Sequence, residues 1–309
     1  MSTRRIVVIG SANIDLVTRV PRSPKPGESL FGHSLMTVTG GKGANAALAA
    51  ARLGAEVTFC GCVGDDDFGR QQRDSLSADG VDMTHLKVHP TEPTGTAMIM
   101  VADSGENSIV VTPGANAALT PEDIEALAPS IAEADALLLQ LEIPLDTTMA
   151  ALRMAREVGT LSIVDAGPAQ TVSDEFLALC DVISPNETEA NTLTYGAVTV
   201  DDVESAGQAA EILCSRGAAT AIMKLGELGS LLYGKIQHFA PAFKVDPLDT
   251  TAAGDAFTAA LSVFWDEDNL PQTLRLANAT GALATTVAGA QPSLPRLESV
   301  LALSNSAPQ

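Results

Sequence analysis

Long apolar runs are missing from this sequence, and no stretch of about twenty uninterrupted apolar residues is present that would form a membrane-spanning helix. The apolar run at residues 6–10 is too short for the core of a secretory signal and has no small-residue cleavage site; it reads as a first buried strand. Basic side chains are scarce. Against 38 Asp and Glu stand only 18 Lys and Arg, a formal net charge of −20. Such a chain repels phosphate backbones, so no nucleic-acid partner is expected, and an anionic substrate needs a locally prepared site. Cysteine is limited to Cys60, Cys62, Cys180 and Cys214, with no paired C-x-x-C spacing. Cys60 and Cys62 flank Gly61 in a strand-like segment and would share one face. Buried, reduced thiols in a cytoplasmic protein are the expectation, not a metal or redox site. The four histidines form neither H-x-x-x-H nor H-E-x-x-H.

What is present is an alternation of strand-like and helix-like segments. Residues 6–10, 57–62, 136–141 and 161–164 read as strands; 44–53, 68–78 and 146–158 read as helices, the first two followed by Gly54 and Gly80. Thr120-Pro-Glu-Asp is a helix start, with Thr120 as N-cap and Pro121 in the first turn. This rhythm predicts an α/β fold with a largely parallel sheet and helices on both faces. Two stretches break it. Residues 16–38 are rich in Pro, Gly and polar side chains, and residues 96–111 read as a hairpin turning at 103–106. They form either a small β-layer outside the main sheet or two surface loops. The tail after Ser304 is expected to fray.

Several motifs carry possible chemistry. Gly40-Gly-Lys-Gly-Ala-Asn45 opens the alanine-rich helix, and its glycines permit close backbone approach by a ligand at a helix start. It is neither a Walker A loop nor G-x-G-x-x-G. Asp249-Thr-Thr-Ala-Ala-Gly-Asp255 precedes an apolar-periodic helix at 256–265. Small residues at 252–254 would expose main-chain amides aimed at a transferring phosphoryl group, with Asp255 beside them to accept a proton. The alternative for Asp255 is stabilisation of the helix dipole. Asn13 and Asp15 follow the first strand, where open α/β sheets bind ligands, and an amide next to a carboxylate suits a polyol; turn chemistry explains them equally. Glu142 ends an apolar run and either caps it at the surface or meets a polar ligand. Asn186 and Glu189 share one side of a helix start, which suits Mg²⁺ held through water or a solvated cap. Residues 225–229 pass a nucleotide or form an ordinary hairpin turn.

In their order and spacing these motifs resemble the PfkB family of carbohydrate kinases, in its ribokinase branch, from Val7 to about Pro295. The glycine motif at 40–45 and the 249–255 segment are the most specific matches. Gly10–Asp15, Pro113–Asn116, Gln140–Glu142, Asn186–Glu189 and Gly289–Ser293 support them. The resemblance implies a ribokinase-like three-layer αβα sandwich spanning residues 1–309, with a small β-sheet lid from segments 16–39 and 95–112. It implies ATP-dependent phosphorylation of D-ribose at the 5-hydroxyl, and a homodimer formed through the lid. Asn13, Asp15, Gly41, Lys42, Asn45 and Glu142 would hold the sugar. Asp255 would be the base, with Ala252, Ala253 and Gly254 as the anion hole. Asn186, Lys224, Gly226, Glu227, Gly229, Gly254 and Asn278 would line the ATP site, and Glu189 would organise Mg²⁺ through water. A K⁺ ion would sit at Asp249, Thr251, Ala284, Val287, Gly289 and Ser293, mostly on main-chain carbonyls.

Three places depart from the family pattern. Lys224 stands where Thr or Ser is common, Asn278 where His is frequent, and Asp165-Ala-Gly-Pro168 where Asn-Pro-Ala-Pro is common. All are expected toward the nucleotide. Lys224 either faces the phosphates or is solvated. Other readings are the same chemistry on deoxyribose, another small sugar or a nucleoside, and a non-catalytic sugar- or nucleotide-binding regulator. An oxidoreductase is disfavoured by the missing dinucleotide fingerprint.

Overall fold

Alternating burial in the first strand sets the layering. In β1 (Arg5–Ile9), Ile6 and Val8 enter one apolar cluster while Val7 and Ile9 enter another, so both faces of the strand are covered. The computed structural model describes residues 3–306. The remaining strands are β2 (Asn13–Val20), β3 (Ser34–Gly40), β4 (Glu56–Gly64), β5 (Asp82–His89), β6 (Gly95–Ala102), β7 (Asn107–Thr112), β8 (Ala136–Leu139), β9 (Leu161–Asp165), β10 (Val182–Ser184), β11 (Thr220–Lys224), β12 (Gly229–Tyr233) and β13 (Gln237–Pro241).

The main sheet has nine strands in the order β13-β12-β11-β10-β9-β8-β1-β4-β5. Every pairing from β11 to β5 is parallel, and β12 and β13 add an antiparallel edge. One face is covered by the helices Lys42–Arg52, Ala253–Phe264 and Leu270–Ala284, the other by helices that include Leu145–Val158 and Val203–Ser215. This is the three-layer αβα sandwich that the sequence rhythm implies. Cys60 and Cys62 share a face, as their spacing requires, and both are buried in the second cluster; Cys214 is only half-buried. Thr120 caps its helix reciprocally with Asp123.

The two rhythm-breaking stretches join in a separate four-stranded sheet, β3-β2-β6-β7. β2 pairs antiparallel with β3 and parallel with β6, and β6 turns at residues 103–106 into β7. Its first strand begins at Asn13, three residues before the segment boundary expected from composition. Asn13 and Asp15 therefore belong to the small sheet itself and are not a loop after β1. Leu35, Met98 and Val110 are exposed on this sheet. The last helix ends at Ser304, and residues 307–309 of the expected frayed tail lie outside the described residues. No helix among the described residues is long and apolar enough to cross a membrane.

Candidate active site

The carboxyl ends of the parallel strands gather the polar residues: Gly10 and Ser11 after β1, Gln140 after β8, Asp165 closing β9, Ser184 closing β10 and Lys224 closing β11. Between them and the small sheet lies a cluster of hydrogen-bonded polar side chains around Glu142. Ser11 Oγ donates to Glu142 Oε2 at 2.5 Å, and the same oxygen receives the Lys42 amide at 3.2 Å and Asn13 Nδ2 at 3.4 Å. Asn13 Oδ1 accepts from Asn116 Nδ2 at 2.7 Å, and Asn116 Oδ1 in turn accepts the Ala12 amide. Glu142 is thus neither a surface cap nor a strand residue, since β8 stops at Leu139. Asp15 is buried on β2. Burial pushes its carboxyl up to about 7, with the negative charges of Glu142 and Asp255 adding to the shift.

Glycine at 41 has a structural cause. Its φ is +88°, and a Cβ there would stand 2.5 Å from the Asn13 amide nitrogen. Only a glycine lets the start of the helix Lys42–Arg52 press against the β1–β2 connection. That helix starts two residues earlier than its apolar pattern indicates, because Lys42 and Gly43 lack the alanine signature yet already have helical backbone.

Asn45, on this helix, donates through Nδ2 to Asp255 Oδ2 at 2.8 Å, while its buried Oδ1 has no partner among the described residues. An orphaned buried acceptor beside a carboxylate is ready for a hydroxyl ligand. Lys42 Nζ stands 3.4 Å from Asp255 Oδ1. The Asp255 charge, against the cost of burial and with help from Asp165, Glu142 and Glu189, raises the Lys42 ammonium above its ordinary range. The Lys42 amide therefore faces the Glu142 cluster, whereas its side chain points to Asp255.

Asp255 occupies the first turn of the helix Ala253–Phe264, which starts three residues before the expected position. Ala252, its N-cap, has φ +62°, a left-handed conformation unusual for alanine and the kind of strain that functional sites retain. The three-amide anion hole needs one correction. The Ala253 amide donates to the Thr250 carbonyl at 3.2 Å, so Ala252 and Gly254 are the amides left open to an anion. Tight turning of 250–253 consumes the middle donor.

On the other side of Asp255 is a cleft of about 780 Å³, within the range of cofactor pockets, lined by Asn186, Lys224, Gly226, Glu227, Gly229 and Asn278. Phe243, Val245 and Pro247 supply apolar walls. Gly226–Leu228 is a turn between β11 and β12, and Gly229, at φ +120°, lies so close to β13 that a Cβ would stand 2.7 Å from the Ala242 amide nitrogen. Asn278 Nδ2 donates to the Ala240 and Pro241 carbonyls at 2.8 and 3.2 Å, so its donor end is spent on the fold. Asn186 and Glu189 form a reciprocal cap, the Asn186 amide donating to Glu189 Oε2 at 2.8 Å. Burial raises the Glu189 carboxyl; Lys224 opposes this and Asp165 adds to it. Lys224 is neither solvated nor free: it pairs with Asp165 at 3.0 Å and stands 3.5 Å from Glu189.

Beside the start of the Ala253–Phe264 helix, Asp249 joins two loops. Its Oδ1 accepts from the Thr251 amide and hydroxyl at 2.9 and 2.6 Å, and its Oδ2 accepts the Gly289 amide at 2.8 Å. Burial opposes the Asp249 charge, but these bonds hold its carboxyl below the usual range. Ala284 ends the helix Leu270–Ala284, Val287 is exposed, and Ser293 is buried with its hydroxyl on the Ala290 carbonyl.

A family model described as pfkB family carbohydrate kinase matches residues 3–297. The chain belongs to this family. Ribokinase of Haemophilus influenzae is 40% identical over 300 residues, spanning 96% of this chain and 97% of that protein. Deoxyribokinase of Salmonella typhi is 34% identical, with 95% and 96% covered. The solved structure of Arabidopsis thaliana ribokinase complexed with ribose and ATP matches with a TM-score of 0.90 at 33% identity, covering 99% of this chain and 100% of that chain. Near-complete coverage in both directions means that family membership extends to the whole sugar kinase architecture, small sheet included.

Sequence reasoning assigned no role to four residues that the structure brings into these clusters: Ser11, Asn116, Asp165 and Thr258. Ser11 and Asn116 were legible only as part of longer matching motifs, because their role is to orient Glu142 and Asn13. Asp165 was marked only as part of a departure from the family pattern, without a role, and Thr258 was not singled out; Thr258 Oγ1 donates to Asp165 Oδ2 at 3.0 Å. The available signal for Asp165 was an acid ending an apolar strand, the same signal that drew attention to Glu142.

Proposed function

We propose that the protein transfers the γ-phosphoryl group of ATP to the 5-hydroxyl of D-ribose, giving ribose 5-phosphate and ADP. The observation that carries this reading is the position of Asp255. It is buried, hydrogen-bonded by Asn45 from the sugar side, and set in the helix turn whose open amides face the nucleotide cleft. Asp15, Asn13, Glu142 and the Asn45 carbonyl offer a dense set of acceptors and donors for a small polyol, with the main chain of Gly41 and Lys42 closing one side. The sugar hydroxyl oxygen attacks phosphorus as Asp255 takes its proton, and the bond to the ADP oxygen breaks. The Ala252 and Gly254 amides and the Lys42 ammonium oppose the charge on the transferring group.

ATP would lie along Asn186, Lys224, Gly226, Glu227 and Gly229, with Asn278 supporting the wall. Glu189 fits a role in holding hydrated Mg²⁺: it is an oxygen donor lining the nucleotide cleft, fixed in place by the Asn186 amide. Mg²⁺ supplies neutralisation of the phosphate charge when bound with ATP. The donor set at Asp249, Thr251, Ala284, Val287, Gly289 and Ser293 is all oxygen and largely main-chain, which suits K⁺. The small sheet, residues 16–39 and 95–112 extended back to Asn13, acts as a lid that excludes water, and its exposed apolar side chains support a homodimer. The buried thiols suit a cytoplasmic enzyme.

The test is ADP release from Mg²⁺-ATP with a panel of ribose, 2-deoxyribose, fructose and adenosine. Ribose should give the highest kcat/KM. A preference for 2-deoxyribose would move the assignment to the chemistry named for the Salmonella typhi relative, and no sugar-dependent release would support a binding regulator.

A further inference from the structure

The departures at Asp165 and Lys224 from the family pattern are two ends of one contact. Lys224 Nζ stands 3.0 Å from both carboxylate oxygens of Asp165. Each oxygen is then completed by a second donor: the Gly167 amide at 2.9 Å on Oδ1 and Thr258 Oγ1 at 3.0 Å on Oδ2. Asp165 is fully buried, so it meets no ligand. Burial alone would raise its carboxyl, yet Lys224, then Lys42 and these hydrogen bonds, hold it below the usual range, and it stays an anion. Lys224 differs. Its main-chain amide is anchored to the Pro185 carbonyl at 2.8 Å, and its side chain lines the nucleotide cleft. A Cβ placed on Gly254, at the open helix start, would lie 3.5 Å from its ammonium.

We propose that Asp165 is a positioning residue for phosphoryl transfer, holding the Lys224 ammonium toward the phosphates of the bound nucleotide at the helix start. The inference rests on the kinase reading above. Both Asp165 oxygens bind Nζ, so the ammonium is directed from below and keeps a proton for the cleft. Thr258 belongs to the helix that carries Asp255, so one carboxylate ties the donor-side cation to the helix of the base. Without the Asp165 charge, the nearest remaining carboxylate is Glu189 at 3.5 Å, and Lys224 would turn toward it and away from the phosphates. A buried ion pair serving only as a strut would leave nucleotide binding indifferent to Lys224.

The experiment measures Mg²⁺-ATP binding by calorimetry in the whole protein, alongside KM for ATP and ribose, for Asp165→Asn, Lys224→Met and the double variant. Asp165→Asn should raise the Kd for Mg²⁺-ATP about tenfold or more, the scale of a lost charged hydrogen bond, with the ribose KM changed less than about twofold. In the Lys224→Met background the same Asp165→Asn change should move the Kd by less than about twofold. Equal effects in both backgrounds, or an unchanged Kd in Asp165→Asn, would overturn the proposal. Where Asp165→Asn alone fails to fold because Lys224 is left buried without its partner, Asp165→Asn/Lys224→Thr removes both charges. That pair should keep the ribose KM and lose Mg²⁺-ATP affinity, and a wild-type Kd would refute the role. The titration needs no sugar, so a wrong sugar assignment shows separately, as absent ribose-dependent ADP release by the wild type.

Discussion

Asp15 is a carboxyl whose surroundings resist its charge: burial first, then Glu142 and Asp255, bring it up to about 7. In the proposed sugar site its charged form would accept two hydroxyls, and its protonated form would lose part of that capacity. The sign follows directly. As pH falls through about 7 the carboxyl gains a proton, so the KM for ribose should rise, approaching about tenfold per pH unit on the acid side if only the anion binds. Lys42 keeps its proton throughout this range and adds no inflection. Profiles of ribose KM between pH 5.5 and about 8.5 check this, and the same inflection in Asp15→Asn would rule Asp15 out as its source. Asp255 carries the second prediction at this scale. Asp255→Asn retains the hydrogen-bonding shape toward Asn45 but cannot accept the proton, so kcat should fall by roughly 10²–10⁴ while both substrates still bind. Near-normal turnover would return Asp255 to a helix-dipole role.

Two connecting elements decide whether the proposed anion hole would keep its shape. The 249–251 turn and the 286–289 turn touch through Asp249, and the main chain of Leu248 and Asp249 also donates to the Thr285 carbonyl at 2.7 and 3.0 Å. Ala252 sits just beyond, in its left-handed conformation, with little side chain to steady it. A large, weakly hydrated cation on these oxygens would brace the loop and offset local negative charge. We expect kcat to rise when K⁺ replaces Na⁺ at constant ionic strength and fixed Mg²⁺-ATP; equal rates in K⁺, Na⁺ and a bulky organic cation would show that the loop holds unaided. At this scale the sequence conveyed the 249–255 segment as a unit, since small residues before an apolar-periodic helix are a local signal. It did not convey that the Ala253 amide is consumed by Thr250, because that depends on how tightly the turn winds.

For the molecule as a whole, the small sheet poses the main question. Met98 and Val110 are register partners on β6 and β7, and with Leu35 on β3 they leave apolar surface uncovered within one chain. Light scattering at micromolar concentration should give twice the 31.8 kDa chain mass, and Met98→Glu/Val110→Glu should shift it to the monomer while the main domain stays folded. A wild-type monomer would leave the lid to close without a partner.

The sequence by itself determined the alternation of buried strands and amphipathic helices, the glycine start of the Lys42–Arg52 helix, and the pairing of small residues with Asp255. Each of these depends on spacing within a few residues, where backbone geometry and periodicity act directly. Only the tertiary structure decided which of those pieces meet. Asn45 and Asp255 are 210 positions apart, and Asp165 and Lys224 are 59 apart, yet each pair is in hydrogen-bond contact. Their meeting is set by the order of strands across the sheet: β10 lies between β9 and β11, with Ser184 paired to Asp165 and Asn186 to Lys224, and the Asp165 and Lys224 side chains reach across it. Local periodicity places a residue on a face of its own element; it does not state which neighbour that face will find.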